Sequence, residues 1–304
     1  MNAEGRPQSL KPDEKGELNL TCARARAYGA ATIINAIGLG KGAAFGIGLW
    51  TEAKVELKKT GGVKVTVKNG PGEDTTLAQK TVSLVLKRLN LDLGAEVTME
   101  SNIPVARGLK SSSAASNAIA LATVKAANAD LDDFEIINLA VEASITAKVT
   151  VTGAFDDACA SYLGGVVVTD NVGRRLIKRF SPPSELEAVV YVPSSRRYTI
   201  DVNVESLRRI SPLTEVLWRE ALEGRYWIAM TLNGYIHSVA LNQNPEIALE
   251  ALRLGAVAAG LSGKGPSVVA VADREVSVLI EKAWRKPGVT VLKAPINNRK
   301  AEVL

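Results

Sequence analysis

Histidine is almost missing from this chain of 304 residues: His237 is the single one. That excludes a multi-histidine zinc centre and most triads built on histidine. Cysteine is nearly as scarce. Cys22 and Cys159 stand far apart with no C-x-x-C, which predicts no structural disulfide and suits a reducing cytoplasm. Aromatic residues make up 5%, too few for a base-stacking platform. Apolar stretches are broken early, by Lys41 or by Lys264 and Pro266, so none is long enough to span a bilayer. The opening Met1-Asn2-Ala3-Glu4-Gly5-Arg6-Pro7 lacks the charged-then-apolar order of a signal peptide. A phosphate loop of the form G-x-x-x-x-G-K-[ST] is absent as well. Gly40-Lys41 and Gly263-Lys264 have Asn35 and Ala258 at the position of the first glycine, and each is followed by glycine.

What is present is an ordinary globular mixture, 46% hydrophobic and 23% charged, of a length that suggests two medium domains ahead of one large one. The net charge of +5 is mild and suits an anionic small molecule as well as it suits nucleic acid. These features predict a cytoplasmic protein acting on a small molecule, with neither nucleic acid nor membrane as partner, and they leave its oligomeric state open.

Residues 1–19 are polar, with Pro7, Pro12 and Asp13-Glu14-Lys15, and read as a loosely held tail. Ala53, Val55 and Leu57 alternate with charges, Thr60-Gly61-Gly62 turns, and Val63, Val65 and Val67 alternate again, which predicts a hairpin. Helical spacing follows over 75–89, then a short strand at Ala95, Val97 and Met99. A helix from Ser111 to about Asn128 aligns Ala115, Ala118, Ala122 and Ala126. The next, capped by Asp132 or Asp133, is expected to turn Phe134, Ile137, Val141 and Ile145 inward. Val166 to Val168 and Ala188 to Tyr191 read as buried strands, and Pro182-Pro183 between them as a domain boundary. Beyond 200 the chain is mainly helical to about 254, with strands near 267–272 and 289–292 around a helix near 274–285. The mixed order of strands and helices predicts an α+β fold.

The strongest local signal is Pro104-Val105-Ala106-Arg107-Gly108-Leu109-Lys110-Ser111-Ser112-Ser113-Ala114. A strand ends, a glycine permits an unusual backbone angle, and three hydroxyls open an alanine-rich helix. Free N–H groups at such a start attract anions, Arg107 and Lys110 add charge, and a serine can ligate Mg²⁺. An N-capped helix after a glycine turn would show the same pattern. Thr152-Gly153-Ala154-Phe155-Asp156-Asp157-Ala158 sets two carboxylates after a glycine, suited to orienting a substrate hydroxyl or taking its proton, or simply to capping. Glu142 shares a polar stripe with Glu135 and Asn138 and reads as a solvated face unless that helix lines the site. Two glycine-rich stretches, Gly38 to Gly46 and Gly260-Leu261-Ser262-Gly263-Lys264-Gly265-Pro266-Ser267, are further candidates for backbone close to a ligand.

This constellation resembles the GHMP kinase superfamily, whose central motif P-x-x-x-G-L-x-S-S-x-A is matched from Pro104 to Ala114 and whose late glycine loop is matched by Gly260 to Ser267. Within it the wording is most similar to the archaeal-type shikimate kinase branch: Ile103 through Ala114, Thr152 through Ala158, Tyr28 through Ala36 and Gly40 through Gly46 all fit, and Lys110 replaces the glycine most superfamily members carry. The likeness covers roughly 21–295 and leaves the tail outside. It implies a ribosomal protein S5 domain 2-like N-terminal domain over 20–183 and a ferredoxin-like C-terminal domain over 184–304, with ATP between them and its phosphates over the helix at Ser111. It also implies Asp156 as catalytic base, Ser112 and Glu142 as Mg²⁺ ligands, and Gly260, Ser262, Gly263 and Gly265 as an active-site loop.

The activity implied is transfer of a phosphoryl group from ATP to the 3-hydroxyl of shikimate, on the way to chorismate and aromatic amino acids. Asn35, Lys41, Arg107, Arg196 and Arg197 are candidates on the substrate side, the four basic ones for its carboxylate. A homoserine kinase is an alternative, disfavoured by Asp156 because that branch generally carries a His-Pro-Asp-Asn-like sequence in place of the base. A noncatalytic S5-like RNA-binding or regulatory module is another, disfavoured because the serines and Asp156 are all kept.

Overall fold

Alanine, with Ile33, Ile34, Phe45, Ile47 and Val55, lines two long strands that anchor the first sheet, β1 (Cys22–Ile34) and β2 (Lys41–Lys58), joined by a turn in which Gly40 takes φ +75°. They pair antiparallel, with irregularities at Tyr28/Gly29 and Thr32/Ile34. The computed structural model in which they are seen describes residues 21–68, 74–150, 153–194 and 204–304. The expected tail over 1–19, Thr152, Arg196 and Arg197 lie outside the described residues.

Strand β2 serves two neighbours in succession. Its Thr51–Lys58 half pairs with β4 (Gly94–Ser101), and Lys41–Phe45 pairs with β5 (Val166–Asp170), which continues to β6 (Arg175–Phe180). The hairpin expected over residues 53–67 does not form. β3 (Val63–Val67) lies parallel to β4, with Val63 opposite Ala95, while Ala95 on its other side faces Leu57. Alternation identifies a strand and its buried face, but the neighbour is decided by α1 (Thr76–Arg88), the crossover a parallel pair requires. Gly94 makes room for this path, since a Cβ there would stand 2.5 Å from the Gly61 carbonyl oxygen.

One face of this sheet is covered by α1, α2 (Ser111–Ala126), α3 (Asp133–Thr146) and α4 (Phe155–Leu163), around a core that includes Val55, Val82, Val97, Ala118, Ile137 and Phe155. In α3 the expected inward set is half right. Ile137 and Val141 are buried, but Phe134 and Ile145 are exposed, because packing turns the Ile136, Ala140 and Ser144 side of the helix inward. Asp132 is the cap, in a reciprocal box with Glu135.

The second sheet runs β10 (Val289–Pro295), β7 (Glu187–Pro193), β9 (Val268–Ala272), β8 (Ala258–Leu261), all antiparallel. Between β7 and β8 lie α5 (Val204–Arg209), α6 (Ser211–Leu222), α7 (Tyr226–Ala240) and α8 (Glu246–Arg253); α9 (Arg274–Trp284) joins β9 to β10. This is a ferredoxin-like order with extra helices. Phe45, Ile47, Val166 and Val168 from the back of the first sheet share a core with Trp218 of α6 and Val269 of β9. The boundary expected at 183/184 lies in the stretch between β6 and β7, and the chain later returns to the first sheet, where β11 (Glu302–Val303) pairs with β1. Among the described residues no helix is long and apolar enough to cross a membrane.

Candidate active site

The segment from Pro104 to Lys110 crosses from β4 to α2 with Ala106, Gly108 and Lys110 all at positive φ, +56°, +80° and +62°. Lys110 occupies the cap position of α2 and offers no side-chain acceptor to the first turn. The N–H groups of that turn are therefore without a side-chain cap, and the capped-helix reading of Ser111 to Ser113 is set aside. Helix α4 begins the same way, behind Ala154 at φ +48° without a capping side chain, so Asp156 and Asp157 are first-turn residues and not its cap. Asn117 of α2 donates its amide to the Ala158 carbonyl at 2.9 Å, holding the two helices together near their starts.

Three distant pieces of chain meet at the segment from Pro104 to Lys110. Ser262 Oγ donates to the Gly108 carbonyl at 2.7 Å, and a side chain on Gly108 would collide with the Ser262 carbonyl oxygen. Gly263 N–H donates to Thr32 Oγ1 at 2.8 Å. A Cβ on Gly263 would sit 3.2 Å from Lys110 Nζ. The end of β1, the 104–110 segment and the glycine loop therefore form one backbone cluster.

Asp156 is buried, 4% exposed, with its Oδ1 accepting from Asn171 Nδ2 at 2.7 Å and its Oδ2 against the bare α-carbon of Gly42. Burial, and then the neighbouring Asp157 carboxylate, push its carboxyl up to about 7, against the opposing pull of Lys110 and Asn171. Asp157 Oδ1 lies 3.0 Å from Lys110 Nζ, in an ion pair by proximity without an aligned hydrogen bond. A buried carboxyl that titrates near neutrality beside an anion-ready helix start is equipped to receive a proton during phosphoryl transfer.

The other expected residues divide. Asn35 is spent internally, donating to the Gly263 carbonyl at 2.8 Å and accepting from Ile37 N–H at 2.9 Å. Lys41 lies on the face of β2 opposite Gly42, paired with Glu215 at 3.0 Å and stacked 4.8 Å over the Trp218 ring. Arg107 donates Nη2 to the Ser194 carbonyl at 2.7 Å, while its Nη1 is buried without a partner among the described residues. Gly260 packs β8 onto α7, where a Cβ would come 2.9 Å from the Met230 carbonyl oxygen. Ser112 stands in the open first turn of α2, and Glu142 is bonded to Arg174 at 2.9 Å. Asn171 and Thr169 were not singled out by the sequence, whereas Gly42 and Thr32 lie within the Gly38–Gly46 and Tyr28–Ala36 stretches noted there. A threonine in the apolar Val166-Val167-Val168 run and an asparagine just past it were the available signal.

For a magnesium–nucleotide complex the fit can be judged from the donors. Among the described residues no group of three or more His, Cys, Asp or Glu side chains could hold a metal alone, which suits Mg²⁺ carried largely by phosphates and water. The orphaned Arg107 Nη1, the uncapped α2 start and Lys110 suit the phosphates themselves.

Two family models match the chain, GHMP kinases N terminal domain over residues 76–165 and GHMP kinases C terminal over residues 228–290. The shikimate kinase of Methanothrix thermoacetophila is 47% identical, covering 92% of this chain and 95% of that protein. That of Pyrococcus furiosus is 40% identical, covering 86% and 95%. Among solved structures, a homoserine kinase from Cytophaga hutchinsonii superposes with a TM-score of 0.71 at 18% identity over 100% of both chains. Methanococcus jannaschii mevalonate kinase gives 0.72 at 16% identity, covering 90% of this chain and 98% of its own. At those identities the two structures establish the fold alone.

Proposed function

The chain belongs to the GHMP kinase family, and from that premise we propose that it transfers a phosphoryl group from ATP to the 3-hydroxyl of shikimate. The observation that carries the reading is 40–47% identity to curated shikimate kinases across about nine-tenths of the chain. In keeping with it, Asp156 and the open start of α2 supply the two things such chemistry needs.

ATP with Mg²⁺ supplies the phosphoryl group and part of its charge neutralisation. The N–H groups of Ser111 to Ser113, with Lys110, hold the phosphates, and Asp157 fixes the Lys110 ammonium. Ser112 is the proposed protein ligand of the metal. Glu142 is the second proposed ligand; its Oε2 accepts from Arg174, so Oε1 would be the oxygen offered. Asp156 orients the acceptor hydroxyl with Oδ2 and takes its proton as the oxygen–phosphorus bond forms and the bond to the departing ADP breaks. Arg107 is the proposed anion partner on the described side of the site, because its orphaned Nη1 is a buried charged donor that a phosphate or carboxylate would satisfy.

The test is ADP release with Mg·ATP against shikimate, homoserine, mevalonate and no acceptor in parallel. Turnover confined to shikimate is the expected result. Turnover with homoserine or mevalonate alone would keep the fold and discard the substrate.

A further inference from the structure

Asp156 must be held in its buried niche both before and after it takes a proton, with one oxygen left open to the acceptor. We infer that Asn171 and Thr169 form a hydrogen-bond relay that positions Asp156 through Oδ1 in either state and leaves Oδ2 for the acceptor hydroxyl. The proton's origin rests on the kinase reading above; the relay's geometry does not.

The three side chains lie in line and out of water, Asp156 and Asn171 each 4% exposed and Thr169 fully buried. Asn171 Nδ2 donates to Asp156 Oδ1 at 2.7 Å, and Thr169 Oγ1 donates to Asn171 Oδ1 at 2.7 Å. Thr169 Oγ1 also lies 3.3 Å from the Gly42 carbonyl oxygen, a second acceptor for the same proton. The backbone beneath them is fixed. Thr169 stands opposite Gly42 in the β2–β5 ladder, its carbonyl accepts from Trp218 Nε1 at 3.2 Å, and Asn171 N–H donates to the Gly40 carbonyl at 2.9 Å.

With Asp156 ionised, the network stands as seen. The proton taken from the acceptor arrives on Oδ2, so Oδ1 stays an acceptor and Asn171 Nδ2 keeps donating to it in the protonated state, more strongly to the ionised one. Asn171 Oδ1 and Thr169 Oγ1 keep each other as partners throughout. An asparagine is suited to this because it donates at one end and accepts at the other, and the threonine hydroxyl bonded to the accepting end fixes which end faces Asp156. The remaining charged or titratable groups facing Asp156 are Asp157 and Lys110, which pair with each other, and the Cys159 thiol on the same helix. Of these, Asp157 also donates its backbone N–H to the Asp156 carboxyl; Asn171 holds Oδ1, and the Gly42 side leaves Oδ2 for the substrate.

The experiment follows the Asp156 carboxyl directly, by ¹³C NMR of protein labelled at aspartate, assigned with Asp156→Asn, in parallel with turnover. Asn171→Ala removes the donor to the ionised form, so its titration midpoint should rise by about one pH unit. An unmoved midpoint would overturn the inference. Thr169 separates hydroxyl from packing: Thr169→Val keeps the shape and Thr169→Ser keeps the hydroxyl. The relay requires Val to lower kcat roughly tenfold or more with the KM for ATP unchanged, and Ser to recover most of the loss. A Val variant more active than the Ser variant would mean that Thr169 only fills space, and would also overturn the inference. If the unmodified enzyme turns over no shikimate, the substrate reading fails, while the carboxyl titration still decides the role of Asn171.

Discussion

Lys110 Nζ and Asp157 Oδ1 are 3.0 Å apart, so the residue at the cap of α2 is paired with a first-turn residue of α4. The pair joins two uncapped helix starts, those of α2 and α4. It places a positive charge beside the α2 amides, and it leaves Asp156, the residue before Asp157, without an ion pair of its own among the described residues. The division of labour between two adjacent aspartates follows from that one contact.

Asp156→Asn should lower turnover by roughly 10²–10⁴, the range for loss of a positioned acid–base group, while calorimetry shows ATP binding retained. Unchanged turnover would move the role to Asp157.

The same variant carries a stability prediction. The Asp156 carboxyl is raised from an ordinary value near 3.8 to about 7, so the folded state holds this proton more tightly between those values. Its contribution to stability is full below about pH 4 and is lost as pH rises through 7. Asp156→Asn removes the buried charge, so at pH 8 it should be the more stable protein, by roughly 1–3 kcal/mol. Thermal melts from pH 4 to 8 should show the gap closing at the acid end.

Gly42 tests the niche from the other side. Its backbone is not in the left-handed region, so Gly42→Ala costs nothing in φ, yet the new Cβ would stand 2.5 Å from Asp156 Oδ2. Displacing that carboxyl should cost turnover on the order of a hundredfold with little change in the KM for ATP. Full activity would show that Asp156 is free to work elsewhere.

Lys110→Met keeps the length of the side chain and the φ of +62°, removing only the charge. Lys110 holds the Asp156 carboxyl down, so without it the acidic limb of the pH–rate profile should move to higher pH. ATP affinity should weaken by about tenfold as one phosphate contact is lost.

Arg107 and Lys41 make a matched comparison. Arg107→Met should raise the KM of an anionic reactant about tenfold or more, and whether ATP or shikimate is affected identifies the anion it holds. Lys41→Met should leave both KM values within about threefold and lower stability by roughly 1 kcal/mol, since Lys41 is committed to Glu215 and the Trp218 ring.

Local chemistry in the sequence was enough to mark the segments that the fold brings together at the proposed site. Glycine at 108, serines at 111–113 and the Asp156-Asp157 pair behind Gly153-Ala154 are adjacent along the chain, and their roles follow from helix starts, which are local structures. Strand alternation and helical spacing likewise found α1, α2, β4 and β9. The failures had a common form. Val63, Val65 and Val67 announced a strand but not that β4 would come between it and β2, and the period of α3 did not fix which side would turn inward.

The sequence by itself determined which residues could bind an anion and which could take a proton, because those properties belong to side chains and to helix ends a few residues long. Only the tertiary structure decided which of them meet. It set Asn171 and Thr169 beneath Asp156, opened Gly42 to its Oδ2, and turned Lys41 to the far face of β2. The physical reason is range. Hydrogen bonds and ion pairs act over about 3 Å in space, and pairing between β2 and β5 brings to that distance residues that nothing in the local pattern connects.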